Sequence, residues 1–102
     1  MYEIRFKGSK TKKDFRKLKE KLSKKLRITL RNILENNPYP TPTHGISLNK
    51  VVKKGKLFCY ETGGGDRILF DIIGIEKAKK AVLIHYSGNH DGEIAYLKKH
   101  SK

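Results

Sequence analysis

Three side chains near the end of the chain have the types and placing to move protons beside a held phosphate: Arg67, His90 and Tyr96. An imidazole titrates near neutral pH and is the natural proton carrier. His90 follows Gly88-Asn89 at the end of the apolar run Ala81–Tyr86, where a side chain can be both exposed and positioned. A guanidinium stays charged and offers a planar fork to two phosphate oxygens. Arg67 opens a second apolar run and can do this, or can pair with Asp66 or with a neighbouring strand. Tyr96 can orient a substrate, stack on a base or pack inward. The other histidines are weaker candidates. His85 sits inside an apolar run and reads as a packed core residue, His44 lies in a proline-rich stretch, and His100 is near the terminus.

Other chemistries fit less well. His85, His90, Asp91 and His100 lack the spacing of a zinc site and have no cysteine partner, and no metal or cofactor is expected. Gly63-Gly64-Gly65 lacks the downstream Lys-Ser/Thr of a phosphate-binding loop and joins two strands. The single cysteine, Cys59, excludes an internal disulfide and fits a reducing compartment. Its apolar setting, LFCYE, points to a buried, inert thiol.

Charge indicates the partner. The net charge is +14, and residues 1–56 hold 17 Lys/Arg against 4 Asp/Glu, whereas residues 57–102 hold 7 against 6. A polycationic half beside a nearly neutral one suggests a polyanion, with nucleic acid the first candidate. Lys12, Lys13, Arg16, Lys53, Lys54 and Lys56 are the cations expected to contact it. No apolar run is long enough for a signal peptide or a membrane span, so a cytoplasmic protein without membrane contact is expected.

These residues need a scaffold, and 102 residues suffice for one domain, 1–102, with one modest core. Tyr2–Lys7 alternates apolar and charged residues, as a half-buried strand does, and Ser9 can cap the helix that follows. Phe15, Leu18, Leu22, Leu26, Leu30, Ile33 and Leu34 recur at helical spacing. One straight helix over Lys10–Glu35 would be about 39 Å long, against a radius of gyration of about 13 Å for a domain of this size. A helical hairpin broken between Lys19 and Ser23 is therefore expected. Asn36-Asn37-Pro38 stops it, and residues 36–56 read as irregular, with Val51 and Val52 as anchors. Leu57–Glu61, Arg67–Ile73 and Ala81–Tyr86 read as strands, joined by a glycine tip at 63–65 and a turn over Gly74–Lys80. Asp91 can cap a short last helix holding Ile94, Tyr96 and Leu97. The expected fold class is α+β, a small antiparallel sheet in the order β-α-α-β-β-β-α with the helical hairpin on one face.

This order, the length and the run DRILFDI…AVLIHYSGNHDGEIAY resemble the RelE/ParE superfamily, the toxin halves of bacterial and archaeal toxin–antitoxin pairs. The likeness runs from Tyr2 to about Tyr96 and is strongest from Gly65. There, Arg67, the strand AVLIHY, Gly88-Asn89-His90 and Tyr96 match the family's loose motif. The His-Asp-Gly context is similar to the YafQ-like branch. The resemblance implies a metal-independent endoribonuclease acting on mRNA on the ribosome. A base would take the ribose 2′-hydroxyl proton, an acid would protonate the leaving 5′-oxygen, and cations would stabilise the phosphorane. It also implies a small acidic antitoxin partner, and contacts with rRNA for the basic helices.

The chain also departs from the family pattern. The strand before the glycine tip carries Phe58 and Tyr60 where RelE itself has lysines, and the final cluster NHDGE is acidic. Asp91 and Glu93 favour a charged ring beside them but repel phosphate, so a histidine-centred site is the version expected, with Lys53, Lys54 and Lys56 supplying charge. The alternatives are a ParE-like inhibitor of DNA gyrase that cleaves nothing, and a non-catalytic RNA- or DNA-binding module.

Overall fold

Five strands form one mixed sheet with three helices on its faces, in a computed structural model that describes residues 2–39, 50–62 and 65–100. The elements are β1 (Glu3–Phe6), α1 (Ser9–Lys21), α2 (Lys24–Asn36), β2 (Lys50–Lys54), β3 (Leu57–Glu61), β4 (Asp66–Glu76), β5 (Lys79–Asn89) and α3 (His90–His100). The sheet order is β1-β5-β4-β3-β2. β2 through β5 form an antiparallel meander, and β1 pairs parallel to β5, with Glu3 opposite Ala81 and Phe6 opposite Ile84. The sheet is thus mixed rather than antiparallel, because the helical hairpin returns the chain so that its first strand flanks its last.

The helical hairpin forms as expected. α1 ends at Lys21, and α2 starts after Ser23, whose hydroxyl accepts a hydrogen bond from Leu26 N at 3.2 Å. The longest dimension of the molecule is 36 Å, shorter than the single rod would have been. Ser9 lies inside α1; extended Gly8 is the cap and makes no side-chain bond. The hairpin inserts Phe15, Leu18, Leu30 and Leu34 against one face of the sheet. There they meet Val51, Tyr60, Ile68, Phe70, Val82 and Ile84, every one of them at most 5% exposed.

The hairpin turn at residues 77–78 is shorter than the expected Gly74–Lys80, and β4 and β5 run 11 residues each. Ala78 takes a left-handed φ of 63° in the turn, a conformation that disfavours a side chain. β2 occupies part of the stretch expected to be irregular: Val51 is buried in the core and pairs with Tyr60. Gly63, Gly64 and His44 lie outside the described residues. The opposite face of the sheet carries Cys59 and Leu69, both buried, and α3 lies across it. Among the described residues, no helix is long and apolar enough to cross a membrane.

Candidate functional site under the last helix

Three sheet strands and α3 bring a charged cluster together on the face away from the helical hairpin. Strand alternation sets who takes part. On β2, Lys54 is on the same face as Val52, the residue opposite Cys59, and Lys53 is on the other face. On β4, Arg67 lies between Glu61 of β3 and Gly88 of β5. The i,i+3 spacing of His90 and Glu93 puts both on the side of α3 that faces these strands.

Glu93 is the centre of the cluster and is completely buried. Its Oε2 accepts a hydrogen bond from Lys54 Nζ at 2.6 Å and from the Cys59 thiol at 3.5 Å. Its Oε1 lies 3.7 Å from Arg67 Nε and 3.8 Å from His90 Nε2. Glu61 Oε2 is 3.9 Å from both Lys54 and Arg67. Arg67 Nη1 also donates to the Asp66 carbonyl at 3.0 Å. Two cations therefore face two carboxylates, and the sum of formal charge, with His90 neutral, is zero.

Burial and charge act on the titrating groups in opposite senses. For Lys54, burial lowers the pKa, but the Glu93 hydrogen bond and the negative charge of Glu93 and Glu61 outweigh it, and the net shift is upward. Burial, seconded by Glu93, pushes the Cys59 thiol up to about 12, which makes it inert as a nucleophile near neutral pH. Among the described residues, no three His, Cys, Asp or Glu groups converge to hold a metal.

Arg67 and His90, expected to act together, do meet. The Arg67 side chain is 19% exposed, and His90, at 53%, is the open member of the pair. Lys54 joins them from the set expected to bind nucleic acid. Tyr96 does not: its hydroxyl lies 3.0 Å from His85 Nδ1, and its ring stacks on Tyr86. His85 owes this placing to a β-bulge. Leu69 pairs with Tyr86 and Phe70 with Ile84, so His85 is the extra residue. The expected core histidine is thus half-buried beneath α3. Asn89, not Asp91, caps this helix, its Oδ1 accepting from Gly92 N at 2.8 Å.

The remaining cations lie elsewhere. Lys53 and Lys56 are exposed around the β2–β3 turn, while Lys12, Lys13 and Arg16 are exposed on α1, across the sheet from Glu93. The first turn of α2 carries Lys24, Lys25 and Arg27 and no acid. Cations at a helix N-terminus oppose the macrodipole at a cost of about 0.3–1 kcal/mol each, so helix stability does not account for them. α1 and α2 also border an apolar groove of about 840 Å³, floored by residues such as Phe6 and Leu30 and rimmed by Arg16, Lys24, Arg27 and Arg31.

Of the two ion-pair partners the sequence offers for Arg67, Asp66 and a neighbouring strand, the neighbouring strand supplies one, Glu61, opposite it on β3, and Glu93 of α3 is a further partner. The signal for Glu93 was its i,i+3 offset from His90, which indicates a shared helix face but not burial. Compared with family models, curated proteins and solved structures, the chain has no match.

Proposed function

We propose that this protein is a toxin of the RelE/ParE kind that cleaves mRNA on the ribosome without a metal and so stops translation in the cytoplasm. The observation that carries the reading is the meeting of Arg67 and His90 at one carboxylate oxygen, with the imidazole half open to solvent. His90 would exchange protons with the 2′-hydroxyl or the leaving 5′-oxygen. Arg67, with Lys54, would take the charge that builds on the phosphorane. The 2′-hydroxyl requirement would select RNA over DNA. Tyr96 is left out of the reaction, because His85 engages its hydroxyl.

The exposed cations of α1 and α2 suit rRNA phosphates. The groove between the helices, apolar at its floor and basic at its rim, suits an amphipathic acidic helix of an antitoxin.

A second reading has its own support. Glu61 and Glu93 neutralise Lys54 and Arg67, which favours a protein that uses only its outer charge: a gyrase inhibitor or a non-catalytic nucleic-acid binder. A translation extract programmed with one message and assayed in EDTA decides. Defined cuts that disappear in His90→Ala and Arg67→Ala support the nuclease. Inhibited gyrase supercoiling without cuts, or salt-sensitive binding alone, overturns it.

A further inference from the structure

The helix α3 is held unlike the other two. α1 and α2 bury Phe15, Leu18, Leu30 and Leu34, whereas the fully buried residue of α3, among those described, is the carboxylate Glu93. Ile94 on the same helix is exposed. Its apolar anchorage comes down to the half-buried Tyr96 and Leu97. A helix fastened by charge can be released by a competing charge, because exchanging one anion for another at the same cations leaves little uncompensated.

The fit of Glu93 in its place is incomplete. Among the described residues, its buried Oε1 has no hydrogen-bond partner, and neither has the buried Arg67 Nε 3.7 Å away. Both are beyond hydrogen-bond reach of one another, although each is costly to leave unmatched. A planar carboxylate satisfies Lys54 and falls short of Arg67. A phosphodiester is not tethered to α3 as Glu93 is, and can settle with one nonbridging oxygen on each cation.

Between His90 and Glu93 lies Gly92, the weakest helix former apart from proline. A hinge there would move Glu93 away while His90 stays at the end of β5, beside Arg67.

We propose that Lys54 and Arg67 form an oxyanion site for an RNA phosphodiester, that Glu93 occupies it in the resting protein, and that substrate phosphate displaces Glu93 as α3 swings out beyond Gly92. The inference rests on Arg67 being a phosphate ligand, and it explains how a neutral cluster can serve an anionic substrate.

The test uses a fluorescent 2′-O-methyl RNA hexamer, which cannot be cleaved, and anisotropy at physiological salt. Glu93→Gln should bind it about tenfold more tightly than wild type, within the usual range of coupling between sites. Glu76→Gln removes the same charge at the distant β4–β5 turn and should gain much less. Adding Lys54→Met to Glu93→Gln should abolish the gain. In wild-type protein the hexamer should accelerate hydrogen exchange of the amides of residues 93–99. An affinity of Glu93→Gln no higher than that of Glu76→Gln overturns the proposal. So does unchanged or slowed exchange in α3, a measurement that decides the matter even if Glu93→Gln does not fold. Failure of the nuclease reading looks different: wild type cuts nothing in the translation extract while Glu93→Gln still gains affinity. Cuts lost in Arg67→Ala, with no gain from Glu93→Gln, sink the displacement and leave the nuclease.

Discussion

Arg67 Nε and His90 Nε2 lie 3.7 and 3.8 Å from the same atom, Glu93 Oε1. A guanidinium and an imidazole are thus held on one side of the sheet, where a single phosphate can reach both. If they act together, Arg67→Ala should reduce cleavage by about 10²–10³-fold, as loss of one oxyanion donor does. His90→Ala should cost about 10²–10⁴-fold, the usual contribution of a positioned proton carrier. Arg67→Lys should recover little, because an ammonium lacks the fork. The measurement is the rate of defined cuts in the extract, with circular dichroism to show that each variant is folded.

The Lys54–Glu93 pair is expected to behave as a buried ion pair in a stability cycle. Lys54→Met leaves a fully buried carboxylate without its 2.6 Å donor, at a cost of about 3–5 kcal/mol. The double variant Lys54→Met/Glu93→Leu removes both charges and should recover most of that loss. Denaturant unfolding of the wild type, both single variants and the double variant gives the coupling. Additive effects would show that the bond contributes nothing.

High pH should unfold the protein, and the direction follows from the buried acids. The Cys59 thiol is raised from 9.0 to about 12 in the folded protein, by burial first and Glu93 second. Between those values the unfolded chain has lost the proton and the folded chain has kept it, so stability falls as pH rises. Tyr60, raised by burial from 10.0 to about 12, acts in the same sense. Each group contributes a slope of up to about 1.4 kcal/mol per pH unit. Stability should therefore be lost progressively above pH 9, and Cys59→Ala should flatten the onset. As a second check, iodoacetamide at mildly alkaline pH should leave native Cys59 unmodified and alkylate it in urea.

The parts of this architecture legible in the sequence are those set by local pattern. The helical spacing of Phe15 to Leu34 and the strand Leu57–Glu61 need only their own residues to be recognised. The parallel partnership of β1 with β5 depends on residues about 78 positions apart, as in Glu3 opposite Ala81, and no local period records it. β2 was missed because Lys50-Val51-Val52-Lys53-Lys54 is short and basic; pairing with β3 makes it a strand. In the site, Arg67 and His90 stood out by chemistry. Their common partner did not, because a glutamate in a polar helix reads as a solvated charge until the cations that surround it are known.

Gly92→Ala should disturb the start of α3. A methyl group there would collide with the Tyr86 hydroxyl, which is bonded to the Asn89 carbonyl at 3.0 Å. Either Tyr86 turns away or the first helical turn shifts, at a cost of about 1–3 kcal/mol. Shortening the obstructing side chain with Tyr86→Leu should make Gly92→Ala much less harmful. Thermal unfolding of the single and double variants checks it, and equal damage in both backgrounds would rule out the steric account.

On the proposed nuclease reading, the cations of α1 should govern how tightly RNA is held, not where it is cut. Lys12, Lys13 and Arg16 are exposed, and the sheet separates them from His90 and Arg67. For single-stranded RNA, each phosphate contact contributes about 0.7 to the slope of log K against log salt. Replacing all three with alanine should lower that slope by up to about 2, weaken binding evenly across sequences and leave the positions of the cuts unchanged. A changed cut pattern would mean that α1 takes part in positioning the message; an unchanged salt slope would move the nucleic-acid surface to α2 and the β2–β3 turn.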